Sequence, residues 1–224
     1  MKLYFHPAST TSMMVMMFAA EEGIPLEYQL VDLMKGEQHK PEYKAINPGG
    51  LVPMLDDDGF RLAESGAIIR YLANKSGSAA YPKDLKERAR VDEAMEWFYS
   101  NFYKDHGYGM IYPQLFPHHK RQSDEATAGA IAWGKQKTEH WLGILDKNIL
   151  GSSRKFLCGD KITLADYVGA EMVAMGDLVG CQYKNYPNVC RWLGTMKALK
   201  NWNKVHETSQ GFATSLKGKE FVAI

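Results

Sequence analysis

The stretch "LVPMLDDDGFRLAESGAIIRYLA", residues 51–73, holds two short apolar runs, "LVPML" and "FRLA", separated by "DDDG". Apolar runs of that length around an acidic turn ending in glycine read as a β-hairpin. A helix then opens at Glu64 and runs to about Asn74, where apolar residues recur at helical spacing. Pro53 is the anomaly, because a proline inside a central strand removes a ladder hydrogen bond. Two arrangements accommodate it: "LVPML" lies at a sheet edge, or the Val52–Pro53 bond is cis and turns the Val52 backbone outward to bind something. Glu64 and Ser65 open a helix whose unpaired N–H groups and partial positive charge suit a carboxylate. Ser65 as an ordinary N-cap is one reading. The other is a clamp for an α-amino-acid group, with Glu64 pairing its ammonium.

Upstream, "KLYF" (2–5) and "LEYQLV" (26–31) read as strands around a helix at Ser12–Glu22, which makes a βαβ unit ahead of the hairpin. That helix is apolar on every side from Met13 to Ala20, so it must be covered both by its own sheet and by a second domain. Four hydroxyls, Ser9 to Ser12, precede it, and Glu21-Glu22 follow, a pattern unlike a signal peptide. After residue 76 the strand signals stop. Residues 77–85, with Gly77, Ser78 and Pro82, read as a linker, and 86–224 as an all-helical domain with helices at 86–108, 124–148, 163–178 and 188–199.

The 224 residues suffice for two compact domains, and 27 basic against 26 acidic side chains leave a net charge of +1. That balance argues against a nucleic-acid footprint or a polybasic membrane anchor, and no segment reaches the roughly 20 apolar residues of a membrane span. The three cysteines, Cys158, Cys181 and Cys190, show no metal or disulfide spacing, which suits the cytoplasm.

The order "KLYFHPAS", "INPGGLVPML", "ESGAIIRYLA" and, far downstream, "ITLADY" resembles the cytosolic glutathione transferases over nearly the whole chain. The spacing from Ser9 to Val15 is most like the delta, theta and phi enzymes and their bacterial relatives. The resemblance implies a thioredoxin-like glutathione-binding domain at 1–76, with a mixed sheet and a cis-proline, followed by the helical bundle. It implies that Val52, ahead of a cis Pro53, pairs its backbone with the cysteinyl part of glutathione, and that Glu64 and Ser65 hold the γ-glutamyl end. Delta-type relatives carry histidines where this chain has Gln38 and Gly50, so Gln38, His39 or Lys40 is expected to meet the glycyl carboxylate. The resemblance also makes "ITLADY" a folding motif, in keeping with a capping box of Thr163 and Asp166.

A free thiol titrates near pH 8.5, so glutathione bound at neutral pH must be helped to ionise. A hydroxyl that donates to sulfur beside a helix N-terminus does this without carrying charge. Lowering the thiol pKa by about two units takes roughly 2.7 kcal/mol, within reach of a charge-assisted hydrogen bond and the helix dipole. Ser9 aligns with the activating serine of the delta, theta and phi enzymes; Thr10 and Thr11 fall where some bacterial relatives place their activators; and all of these hydroxyls can cap the helix instead. The electrophile pocket is expected between the domains, along "WFYSNFYKDHGYGMIYPQLF" (97–116), with Tyr103, His106 and Tyr108 as polar contacts. The resemblance implies a homodimer with glutathione as co-substrate and a small hydrophobic electrophile. Two other activities remain open: a glutathione-dependent disulfide reductase or peroxidase, and a non-catalytic transferase-like binding module.

Overall fold

A computed structural model describes residues 1–224. Four strands, β1 (Lys2–Phe5), β2 (Glu27–Leu30), β3 (Met54–Asp57) and β4 (Phe60–Ala63), form one sheet in the order β2-β1-β3-β4. β1 pairs parallel with β2 and antiparallel with β3, and β3 pairs antiparallel with β4 across the "DDDG" turn. The strand that follows Pro53 is therefore internal, so the sheet-edge reading is corrected. The Val52–Pro53 bond is cis and lies just outside the ladder, where proline costs no strand hydrogen bond.

Helix α1 (Thr10–Glu21) connects β1 to β2, the short α2 (Pro41–Lys44) precedes the hairpin, and α3 (Ser65–Ser76) follows it. Met13, Met14, Val15, Met17, Phe18 and Ala19 of α1 are all buried. Phe18 meets Tyr167 edge-on at 5.4 Å, and Asn201 donates to the Ala20 carbonyl and the Glu21 carboxylate, so the helical half covers the side of α1 that its own sheet leaves bare. Arg70 of α3 ties the halves again, donating to Asp92 at 2.7 Å and Glu96 at 3.1 Å.

The helical half begins with α4 (Leu85–Trp97), which continues through two π-helical stretches, Phe98–Phe102 and Lys104–Ile111, into α5 (Tyr112–Leu115). It goes on with α6 (Asp124–Ile144), α7 (Leu164–Ala174), α8 (Pro187–Lys197) and α9 (Trp202–Ser215). The last of these is absent from the sequence reading, because Gly211 and a run of hydroxyl and amide side chains dilute the apolar spacing of Trp202, Val205, Phe212 and Leu216. The capping box at the head of α7 is present. Asp166 accepts from the Thr163 N–H and hydroxyl, the Leu157 N–H and the Trp192 indole, all within 2.9 Å, which makes it a structural hub. No helix is long and apolar enough to cross a membrane.

His106 departs from expectation. It is fully buried against Phe102 and Tyr183, so it is withdrawn from the electrophile pocket. The Tyr183 hydroxyl donates to the Val173 carbonyl at 2.8 Å, so at the 3.1 Å contact His106 Nε2 is the donor. Nδ1 is left buried without a partner. A second proton there would find no acceptor, and burial lowers the imidazole to a pKa of about 3.

Two stability measurements follow from these contacts. Below about pH 6.5 the unfolded chain takes up a proton at His106 that the folded chain refuses until about pH 3. Stability should therefore fall by about 2 kcal/mol between pH 7 and pH 5 from this group alone. Urea midpoints should show that component vanish in His106→Phe. On α6, a Cβ at Gly134 would lie 2.5 Å from the Gly109 carbonyl carbon and 2.7 Å from the Met110 nitrogen, whereas one at exposed Gly129 meets nothing within 4 Å. Gly134→Ala should cost about 2 kcal/mol, and Gly129→Ala should add about 0.5–1 kcal/mol.

Candidate active site

The turn from β1 into α1 and the loop ahead of Pro53 meet at one point. Ser9 is the N-cap of α1, its Oγ accepting the Ser12 N–H at 3.3 Å. Thr11 Oγ1 donates to the Val52 carbonyl at 3.0 Å and lies 3.1 Å from Ser9 Oγ. A threonine hydroxyl has one proton, and Val52 receives it, so Ser9 is the donor between the two hydroxyls. Capping and donation are thus not alternatives here: capping uses a lone pair of Ser9 and leaves its proton free to change partners. Ser12 is fully buried and accepts the His6 N–H, a structural bond. Thr10 is buried and lines a small cavity at the head of α1.

The Val52 loop is held by its carbonyls. Tyr43 Oη at 2.6 Å and Asn47 Nδ2 at 2.8 Å both donate to Leu51 O, and burial pushes the Tyr43 phenol up to about 12, which keeps it a donor. With Thr11 on Val52 O, three side chains fix two consecutive peptide planes. The Val52 N–H has no partner in the protein.

At the head of α3 it is Glu64, not Ser65, that occupies the N-cap position, at φ +67° and without a side-chain cap bond. A non-glycine residue held at such a φ costs on the order of 1–3 kcal/mol, the kind of strain that concentrates at binding sites. The Glu64 side chain stays exposed beside the unpaired N–H groups of the first turn. Ser65 is buried, and its Oγ meets the Tyr99 hydroxyl at 2.9 Å; Tyr99 also bonds Met14 Sδ at 3.1 Å. Tyr99, from the first π-helical stretch, is a positioning residue the sequence reading missed.

Gln38 and His39 lie together, Gln38 Nε2 being 3.2 Å from His39 Nε2, while Lys40 pairs with Glu37 at 3.3 Å and is drawn away. A Cβ at Gly50 would fall 2.9 Å from the Gln38 carbonyl, 3.7 Å from His39 Nδ1 and 3.8 Å from Lys44 Cε. Glycine is needed there for this approach and for a φ of +63°. The same contacts bring in exposed Lys44, a cation beside the loop that its distance in sequence from Gln38 concealed.

Of the residues expected at the electrophile, Tyr103 is half-buried, its hydroxyl 2.7 Å from that of Tyr112. Tyr108 is 44% exposed and packs its ring on Tyr103, Tyr112 and His119. A cavity of about 50 Å³ lies at the head of α1, lined there by Ala8, Thr10 and Met13; neither Tyr103 nor Tyr108 lines it. Its remaining lining comes from Glu171 and Ala174 of α7, from Met175, Asp177 and Leu178 after it, and from Trp202, His206, Ser209, Gln210 and Ala213 of α9.

Comparison with known proteins identifies the family. The family profile "Glutathione S-transferase, N-terminal domain" matches residues 1–74, and "Glutathione S-transferase, C-terminal domain" matches residues 115–200. Human glutathione S-transferase theta-2B is 32% identical over 202 residues, covering 89% of this chain and 81% of its own. A delta-class glutathione transferase of Nilaparvata lugens superimposes with a TM-score of 0.82 at 31% identity, over 96% of this chain and 98% of that one. The structure of human glutathione transferase theta-2, in complex with glutathione and an unknown ligand, does so with a TM-score of 0.85 at 29% identity, over 100% and 93%. With both halves matched by the same family's profiles and a relative of this identity across most of its length, the chain belongs to the glutathione S-transferase family.

Proposed function

We propose that this glutathione transferase binds glutathione along the β3–α3 edge and activates its thiol through Ser9, for attack on a small hydrophobic electrophile. The observation that carries this reading is the Ser9–Thr11–Val52 chain of contacts, 3.1 and 3.0 Å long, which ties a hydroxyl donor to the residue whose backbone N–H stays unpaired just ahead of Pro53. The cysteinyl backbone of glutathione pairs with Val52 ahead of Pro53. Its sulfur then replaces Thr11 as the acceptor of the Ser9 O–H hydrogen bond, the serine keeping its proton and the thiol proton leaving to water. A thiolate is a stronger acceptor than a neutral hydroxyl, so the exchange favours ionised sulfur, and the N-terminus of α1 adds its partial positive charge.

The γ-glutamyl end occupies the head of α3, its carboxylate on the first-turn N–H groups and Ser65, its ammonium on Glu64. The glycyl carboxylate lies toward Gln38, His39 and Lys44; Lys40, committed to Glu37, acts at most at long range. Thr10 and Tyr108 face the electrophile, whose carbon is attacked by sulfur as the leaving group departs. The protein acts in the cytoplasm, where its three free cysteines stay reduced, as a two-fold homodimer.

Ser9→Ala should raise the apparent pKa of bound glutathione toward about 8.5, read from the ultraviolet absorbance of the thiolate in the binary complex. It should lower kcat/KM about 10- to 100-fold. An unmoved thiol pKa would reassign activation to another hydroxyl. The pair His39→Ala and Lys44→Ala should raise the KM for glutathione about fivefold in combination and leave the thiol pKa in place; an unchanged KM would remove them from the glycyl subsite.

A further inference from the structure

Glu171 of α7 and His206 of α9 are 1% and 5% exposed, and both line the cavity at the head of α1. His206 Nδ1 stands 2.8 Å from the Trp202 carbonyl, which carries no proton, so Nδ1 supplies one. His206 Nε2 stands 2.9 Å from Glu171 Oε2, and one proton shared between them completes that bond. The pair is therefore neutral overall, whichever partner holds the shared proton. The Trp202 indole stacks on the imidazole at 3.8 Å, 12° from parallel, which fixes the ring.

The other carboxyl oxygen, Glu171 Oε1, is buried without any partner. A buried acceptor left in this state costs about 1–3 kcal/mol, so such groups are ordinarily satisfied by something. Ala8 and Thr10, the neighbours of Ser9 in the chain, line the same cavity. A space of about 50 Å³ admits a small polar group rather than an aromatic ring.

We propose that Glu171, oriented by His206, is a specificity-determining acceptor for a hydrogen-bond donor, an N–H or O–H, carried by the electrophile. This rests on the transferase reading and adds a substrate class to it: electrophiles bearing an amide or hydroxyl are favoured over isosteres that lack the donor. Because the dyad is neutral, it selects donors by hydrogen bonding and gives a cation no Coulombic advantage. An isostere without the donor leaves Oε1 unsatisfied in the complex, which is the source of discrimination.

The test uses the N-methyl amide and the methyl ester of para-bromomethylbenzoic acid, which differ only in N–H against O. For each, kcat/KM with glutathione is divided by the rate constant of the uncatalysed reaction. The normalised ratio should favour the amide about tenfold in the unaltered protein. Glu171→Gln keeps an amide oxygen in place and should retain a severalfold preference. The double variant Glu171→Leu/His206→Phe, which removes the acceptor but keeps apolar volume and a ring for Trp202 to stack on, should bring the ratio to about one. Equal conjugation of both compounds by the unaltered protein overturns the acceptor and leaves the transferase reading standing. A preference that survives in the double variant also overturns it. If neither compound is conjugated, both readings fall together.

Discussion

Everything in this molecule is arranged around a helix that cannot face water on any side. The residues from Met13 to Ala19 are apolar around the whole circumference of α1, with Met16 alone among them even half-exposed. An isolated sheet covers one side of such a helix and leaves the other bare. The second half of the chain completes the cover, through Tyr167 against Phe18, Tyr99 on Met14 and Asn201 at the carboxyl end. Burial on both sides leaves α1 no freedom to shift, and the hydroxyls at its amino end inherit that rigidity.

The same economy governs the pre-proline loop. Its carbonyls are taken by Tyr43, Asn47 and Thr11, and one of these donors comes from the start of α1. Position is secured by acceptors, so the donor side of Val52 stays open. The hydroxyls divide the work by the same logic: Ser12 supports the β1–α1 turn, Thr11 holds the loop, and Ser9 caps with a lone pair while its proton stays mobile.

What could be read from sequence was what local chemistry decides. β1 and β4 are found where the apolar runs "KLYF" and "FRLA" put them, the hairpin is present although β3 starts only at Met54 and runs to Asp57 rather than spanning "LVPML", and the capping box of Thr163 and Asp166 stands at its helix. Pro53 had two local explanations, and only the strand order, set by pairing between distant segments, chose between them. Which hydroxyl holds which partner likewise depended on Val52, 41 residues from Thr11. His106 sits on the same aromatic-rich segment as Tyr108, yet one is enclosed and the other exposed, because their fates follow from which face of a π-helical turn meets Tyr183. Lys44 beside Gly50 and the α9 residues around the cavity were out of reach for the same reason: tertiary approach, not spacing, places them.

Helix α9 touches both ends of α1: Asn201 at its own start secures the carboxyl end, and Trp202 through Ala213 close the cavity at the amino end. All four strands and the β1–α1 turn precede it in the chain. A single late helix therefore spans the length of α1, so a shift of α9 moves the anchor at one end and the cavity wall at the other together.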